Sequence, residues 1–142
     1  MTTETKDNPI LLVEDNPIDL DLTLRAFAAK KISNPIQIAR DGEEALNYLK
    51  DWEKGALKPV VILLDLKLPK INGLEVLEKI KSHPDFKTIP IVILTTSSES
   101  SDLQAAYNSG ANSYIVKPVD FEKFIEVANH IDLYWRVFNK PI

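Results

Sequence analysis

The sequence has no cysteine, one methionine, two histidines and only four glycines in 142 residues. Without cysteine there are no disulfides, no thiol nucleophiles and no thiolate metal sites, and nothing points to an oxidising compartment, so a cytoplasmic setting is expected. Long hydrophobic runs are also missing. The longest, Val60 to Leu64, is far short of the roughly 20 residues of a membrane-spanning helix. There is no basic excess: 17 basic side chains face 21 acidic ones, a net charge of -4. No lysine and arginine cluster is present to displace counterions from phosphates, so neither a nucleic-acid nor a membrane partner is expected. The start, MTTETKDN, lacks the basic opening and apolar middle of a signal peptide. Residues 1–8 therefore read as a flexible tail on a single domain over 9–142.

What is present is enough apolar material, 44%, for one core in a chain of this size. Five short apolar segments alternate with longer segments of helical period. The apolar segments are Ile10 to Val13, Ile36 to Ala39, Val60 to Leu64, Ile91 to Leu94 and Ser113 to Val116. Three are apolar throughout, as expected of strands covered on both faces in a parallel sheet. The first helix is predicted from Pro17 to about Lys30, with Asn16 as its cap and Asp19 in its first turn. A second follows Asp41-Gly42 and fades near Trp52. A third starts around Asn72-Gly73 and stops before Pro84. The fourth covers Ser101 to Asn108 and ends at Gly110, a left-handed cap. The fifth starts at Asp120 and carries apolar residues at helical spacing through Trp135 and Phe138. Strict strand-helix alternation predicts a flavodoxin-like three-layer α/β sandwich with five parallel strands in the order 2-1-3-4-5. Ligands in such folds bind beyond the carboxyl ends of the strands, at the reversal between strands one and three.

The polar residues at those strand ends converge on one rim: Glu14-Asp15, Asp65, Thr95-Thr96 and Lys117-Pro118. Carboxylates placed together repel one another unless a cation joins them, and an all-oxygen set suits Mg²⁺. Lys117 adds a second positive charge and Thr95 a hydroxyl. The set is suited to holding a phosphoryl group. Asp65, at the end of the most hydrophobic strand, is the expected acceptor, because a carboxylate is ionised at neutral pH and attacks phosphorus without a general base. Taken singly, each of these residues has an ordinary reading as a helix-start acid, a turn acid or a solvated lysine. Their joint placement carries the argument. Ser97 to Ser101 reads as a flexible loop, and His83 and His130 as structural.

The motifs LLVEDN, LLDLKLPKING, ILTT and YIVKP resemble those of response-regulator receiver domains of two-component signalling, over nearly the whole chain. The resemblance implies Asp65 as phosphoacceptor, with Asp15 and Asp65 as direct Mg²⁺ ligands and Glu14 acting through water. It adds the Lys67 backbone carbonyl as a third ligand, Thr95 and Lys117 as phosphoryl binders, and a cis bond before Pro118. Thr95 would move toward the phosphoryl group and Tyr114 would turn inward, reshaping the face of α4, β5 and α5. Two residues depart from the commonest pattern. Lys67 would pair with Glu14 or screen the acyl phosphate, and Thr96 would narrow access, so an altered self-dephosphorylation rate is expected.

The resemblance further implies a sensor histidine kinase as partner, of the bacteriophytochrome type judging by the long loop before strand three and the aromatic C-terminus. With no output domain expected, the signal leaves through an unknown downstream protein or a homodimer through α4-β5-α5. The chain is then a switch rather than an enzyme. A flavodoxin-like electron carrier conflicts with the acidic first loop, which would repel a flavin phosphate. A haloacid-dehalogenase-type phosphatase needs an acid where Lys67 stands. The remaining alternative is a pseudo-receiver that binds partners without phosphorylation.

Overall fold

A computed structural model of the chain describes residues 8–117, 121–122, 124–126, 128 and 129. The leucine, isoleucine and valine segments form the strands β1 (Ile10–Val13), β2 (Ile36–Ala39), β3 (Val61–Leu64), β4 (Ile91–Thr95) and β5 (Ser113–Val116). Between them run α1 (Pro17–Ala29), α2 (Gly42–Glu53), α3 (Gly73–Lys81) and α4 (Ser100–Asn108). Residues 121–122, 124–126, 128 and 129 are helical and are the described part of α5. All strand pairs are parallel and the order is β2-β1-β3-β4-β5, as expected from the alternation.

Each strand divides its side chains between two cores. Leu11, Val13, Ile62, Leu64, Ile91 and Ile93 pack with Val76, Leu77 and Ile80 of α3 and Ala106 of α4. Ile10, Leu12, Val61, Leu63, Val92 and Leu94 pack on the other side with Leu20, Ala26 and Phe27 of α1 and Phe124 and Ala128 of α5. β1, β3 and β4 are buried along their whole length, which explains why their sequences do not alternate.

Helix starts follow local hydrogen bonding. The Asn16 side chain accepts from the backbone N–H groups of Ile18 and Asp19, at 2.9 and 3.1 Å. Asp41 and Asn72 accept from Glu44 and Glu75 in the same way. These bonds satisfy N–H groups that the first turn of a helix leaves without partners. Gly110, at φ +103°, adopts the left-handed conformation expected just past α4.

The start of α4 differs from expectation. Glu99 provides no side-chain cap, and helix begins at Ser100. Ser97, expected in a flexible loop, is buried and donates its hydroxyl to Asp102 Oδ2 at 2.5 Å. The polar stretch is thus shortened and held by a side-chain bond across the turn. Asn8, assigned to the tail, donates to the Lys58 carbonyl and accepts from the Asn34 side chain. The remainder of the tail, Pro118, His130 and the expected helical extension through Phe138 lie outside the described residues.

Candidate functional site

Backbone pairing delivers the polar residues to one rim. The Asp65 N–H donates to the Val13 carbonyl and the Glu14 N–H to the Ala39 carbonyl, at 3.0 and 2.9 Å, so both acids leave the sheet at its central strands. The Lys117 N–H donates to the Thr95 carbonyl at 2.7 Å. The register of β4 and β5 therefore places the lysine beside the threonine. α3 closes the floor under Asp65. A Cβ at Gly73 would stand 2.3 Å from the Asp65 carbonyl oxygen and 2.5 Å from Leu66 Cα, so only glycine lets the helix approach this closely.

Glu14, Asp15 and Asp65 present carboxylate oxygens within 4.8 Å of one another. Glu14 and Asp65 are buried and Asp15 is exposed. Three anionic oxygens with one side open to solvent fit a hard divalent cation that keeps several of its waters. Nitrogen and sulfur donors are absent from the cluster, which argues against zinc. Such a donor set suits Mg²⁺ and other hard cations alike.

Against these acids lies Lys117, whose side chain is only 5% exposed. Its ammonium bonds Glu14 Oε1 at 2.6 Å, Asp19 Oδ2 at 2.8 Å and Asp65 Oδ2 at 2.9 Å. Burial disfavours this charge, but the hydrogen bonds to Asp19, Glu14 and Asp65 outweigh it and hold the ammonium above the ordinary lysine range. Burial likewise pushes the Glu14 carboxyl up to about 7, against the pull of Lys117 and of the Asn16 N–H that donates to it.

Glu14, Asp15, Asp65 and Lys117 lie together at one rim, and the Thr95 backbone joins that of Lys117. Thr95 is fully buried, and its hydroxyl oxygen is 3.5 Å from the Ser97 N–H. Tyr114 packs on the α3–α4 core, and its hydroxyl donates to the Ser97 carbonyl at 2.9 Å. Thr96 is exposed at the rim. Lys67 is exposed as well, and its backbone N–H donates to Asp65 Oδ1 at 3.1 Å. Of the two roles expected of Lys67, the ion pair with Glu14 is not formed: among the described residues the cation bonded to Glu14 is Lys117. His83 bonds Glu53 and stacks on Phe86 away from the rim, in a structural role.

Sequence reasoning missed Asp19 as part of the site. An acid in the first turn of a helix already has an explanation in the helix dipole. Only the fold shows that the first turn of α1 brings its carboxylate to within 2.8 Å of the Lys117 ammonium.

Comparison with known proteins follows the same lines. Residues 10–129 match the family described as the response regulator receiver domain. The probable methanogenesis regulatory protein FilR2 of Methanothrix harundinacea is 43% identical over 132 residues, covering 92% of this chain and 85% of that protein. The solved structure of the phosphorylated cyanobacterial phytochrome response regulator RcpA superposes with a TM-score of 0.82 at 38% identity, covering 90% of this chain and 93% of that one. The bacteriophytochrome response regulator RtBRR is 49% identical with a TM-score of 0.75, covering 89% and 77%. With its strand order, its acidic cluster and its buried lysine, the chain belongs to the response-regulator receiver domain family, signalling proteins rather than an enzyme family.

Proposed function

We propose that Asp65 accepts a phosphoryl group from the phosphohistidine of a sensor kinase in a Mg²⁺-dependent reaction. The observation that supports this reading is the setting of Asp65, whose buried carboxylate lies within 4.8 Å of those of Glu14 and Asp15 and accepts a bond from the Lys117 ammonium at 2.9 Å. In the reaction an Asp65 carboxylate oxygen bonds to phosphorus, the phosphorus–nitrogen bond breaks, and the imidazole leaves with its electron pair. Glu14, Asp15, Asp65 and the Lys67 carbonyl would hold Mg²⁺, which neutralises charge on the transferring group. The protein positions and screens, because this transfer depends mainly on alignment and charge stabilisation. Lys117 and Thr95 bind the phosphoryl oxygens, and exposed Lys67 and Thr96 set how readily water reaches the acyl phosphate.

The output proposed for this state is a change in the face of α4, β5 and α5. Tyr114 is already joined to the β4–α4 turn through Ser97, so a shift of Thr95 toward the phosphoryl group is felt at that turn. Among the described residues, four of the six exposed large apolar side chains lie on this face: Leu103, Tyr107, Val116 and Phe121. Exposed apolar residues gathered in this way mark a contact surface. The likeness to RcpA and RtBRR supports a phytochrome-type kinase as the donor.

Incubation with acetyl phosphate and Mg²⁺, followed by intact mass, tests the acceptor. One phosphoryl adduct is expected in the native protein and none in Asp65→Asn. An adduct that survives this substitution moves the acceptor elsewhere, and no adduct at all favours a phosphorylation-independent binding module.

A further inference from the structure

The Lys117 ammonium has three protons, and a carboxylate oxygen lies within 2.9 Å of the nitrogen for each of them. No proton is left for a phosphoryl oxygen, so a phosphoryl group on Asp65 gains this lysine only if one carboxylate yields. Asp65 gives up its negative charge when it becomes the acyl group and so loosens its own hold on the ammonium, and Glu14 belongs to the cation cluster. Asp19 is outside that cluster and belongs to neither.

Its position is fixed on the α1 side. The Asp19 N–H donates to the Asn16 side chain at 3.1 Å, and its carbonyl accepts from the Thr23 hydroxyl at 2.8 Å. The side chain spans 98 residues of sequence to reach Lys117. A carboxylate on a clamped backbone, bonded to the ammonium that the phosphoryl group needs, is a competitor for it.

We propose that Asp19 is a positioning residue that holds Lys117 toward α1 and competes with the incoming phosphoryl group for its ammonium, so that it restrains phosphorylation of Asp65. The inference rests on the reading of Asp65 as acceptor. Removing the charge at position 19 frees a strong donor for the phosphoryl oxygens and takes one negative charge away from an anionic donor.

The experiment measures the rate of phosphorylation by acetyl phosphate at saturating Mg²⁺ in the native protein, Asp19→Asn, Asp19→Glu and Asp21→Asn. Asp21 pairs with Arg25 on the exposed side of α1 and serves as control. Asp19→Asn is expected to react roughly fivefold faster, equivalent to about 1 kcal/mol of barrier. Asp19→Glu should restore the native rate and Asp21→Asn should leave it unchanged. In parallel, nitrogen NMR of the Lys117 side chain should show faster solvent exchange of the ammonium in Asp19→Asn alone, which loss of a helix-start acid would not produce. Labelling of Asp19→Asn no faster than native, or an unmoved Lys117 signal, overturns the inference and leaves the acceptor reading standing. A native protein that takes no phosphoryl group overturns both.

Discussion

Glu14 is subject to opposing demands, burial on one side and an ammonium at 2.6 Å on the other. Burial prevails and raises its carboxyl to about 7, so at neutral pH a large share of the cation-free protein carries a proton there. A cation binds the carboxylate and must expel that proton. Mg²⁺ affinity should therefore rise with pH through this value, proton release should accompany binding in a weakly buffered titration, and Glu14→Gln should abolish both. The sign for stability is the reverse. Between the ordinary carboxyl value of 4.5 and about 7 the folded state holds this proton more tightly than the unfolded state, so the contribution is lost as pH rises through that window in cation-free protein. Thermal unfolding across the window with and without Mg²⁺ checks it, a pH-independent difference being the contrary result. Glu14, Asp15 and Asp65 were legible because each terminates a strand of unmistakable pattern. The ion pairs were not, since a side-chain partner 98 residues away leaves no local trace, and one of the two roles open to Lys67, pairing with Glu14, is taken by Lys117.

At the level of elements, the starts of α1, α2 and α3 were readable from Asn16, Asp41 and Asn72, because a capping side chain acts within three residues of its own position. The start of α4 was not readable. There no side chain caps the helix and a side-chain bond from Ser97 to Asp102 spans the turn, and a run of serines looks the same whether it is solvated or pinned. The α1 cap has a second task, since the Asn16 side chain holds the backbone of Asp19. Asn16→Ala should cost about 1 kcal/mol of stability, read as a lower urea midpoint with unchanged slope. An unchanged midpoint would show that packing of Leu20, Ala26 and Phe27 alone fixes the helix. β5 contrasts with the inner strands: Ser113, Tyr114 and Ile115 are half-buried and Val116 is exposed, so the strand that delivers Lys117 is the exposed edge of the sheet.

Across the whole molecule, the strand order and the division into two cores could be anticipated because parallel crossovers leave few alternatives. The apolar residues Leu103, Tyr107, Val116 and Phe121 could not be separated in advance from core residues, since helical periodicity does not say which stripe stays uncovered. If a second copy of the chain covers this face, sedimentation should show self-association that strengthens on phosphorylation. Tyr107→Glu should then raise the dissociation constant about tenfold, equivalent to ~1.4 kcal/mol, and a monomer in both states would assign the face to a different protein. The lysine at the end of β5 has a consequence for synthesis. A chain growing on the ribosome makes Glu14, Asp19 and Asp65 long before Lys117, and three acids that will share one ammonium must wait without it. The phosphoryl site can only be completed once the fifth strand has left the ribosome and docked, so a nascent or truncated receiver would present no finished acceptor to a kinase.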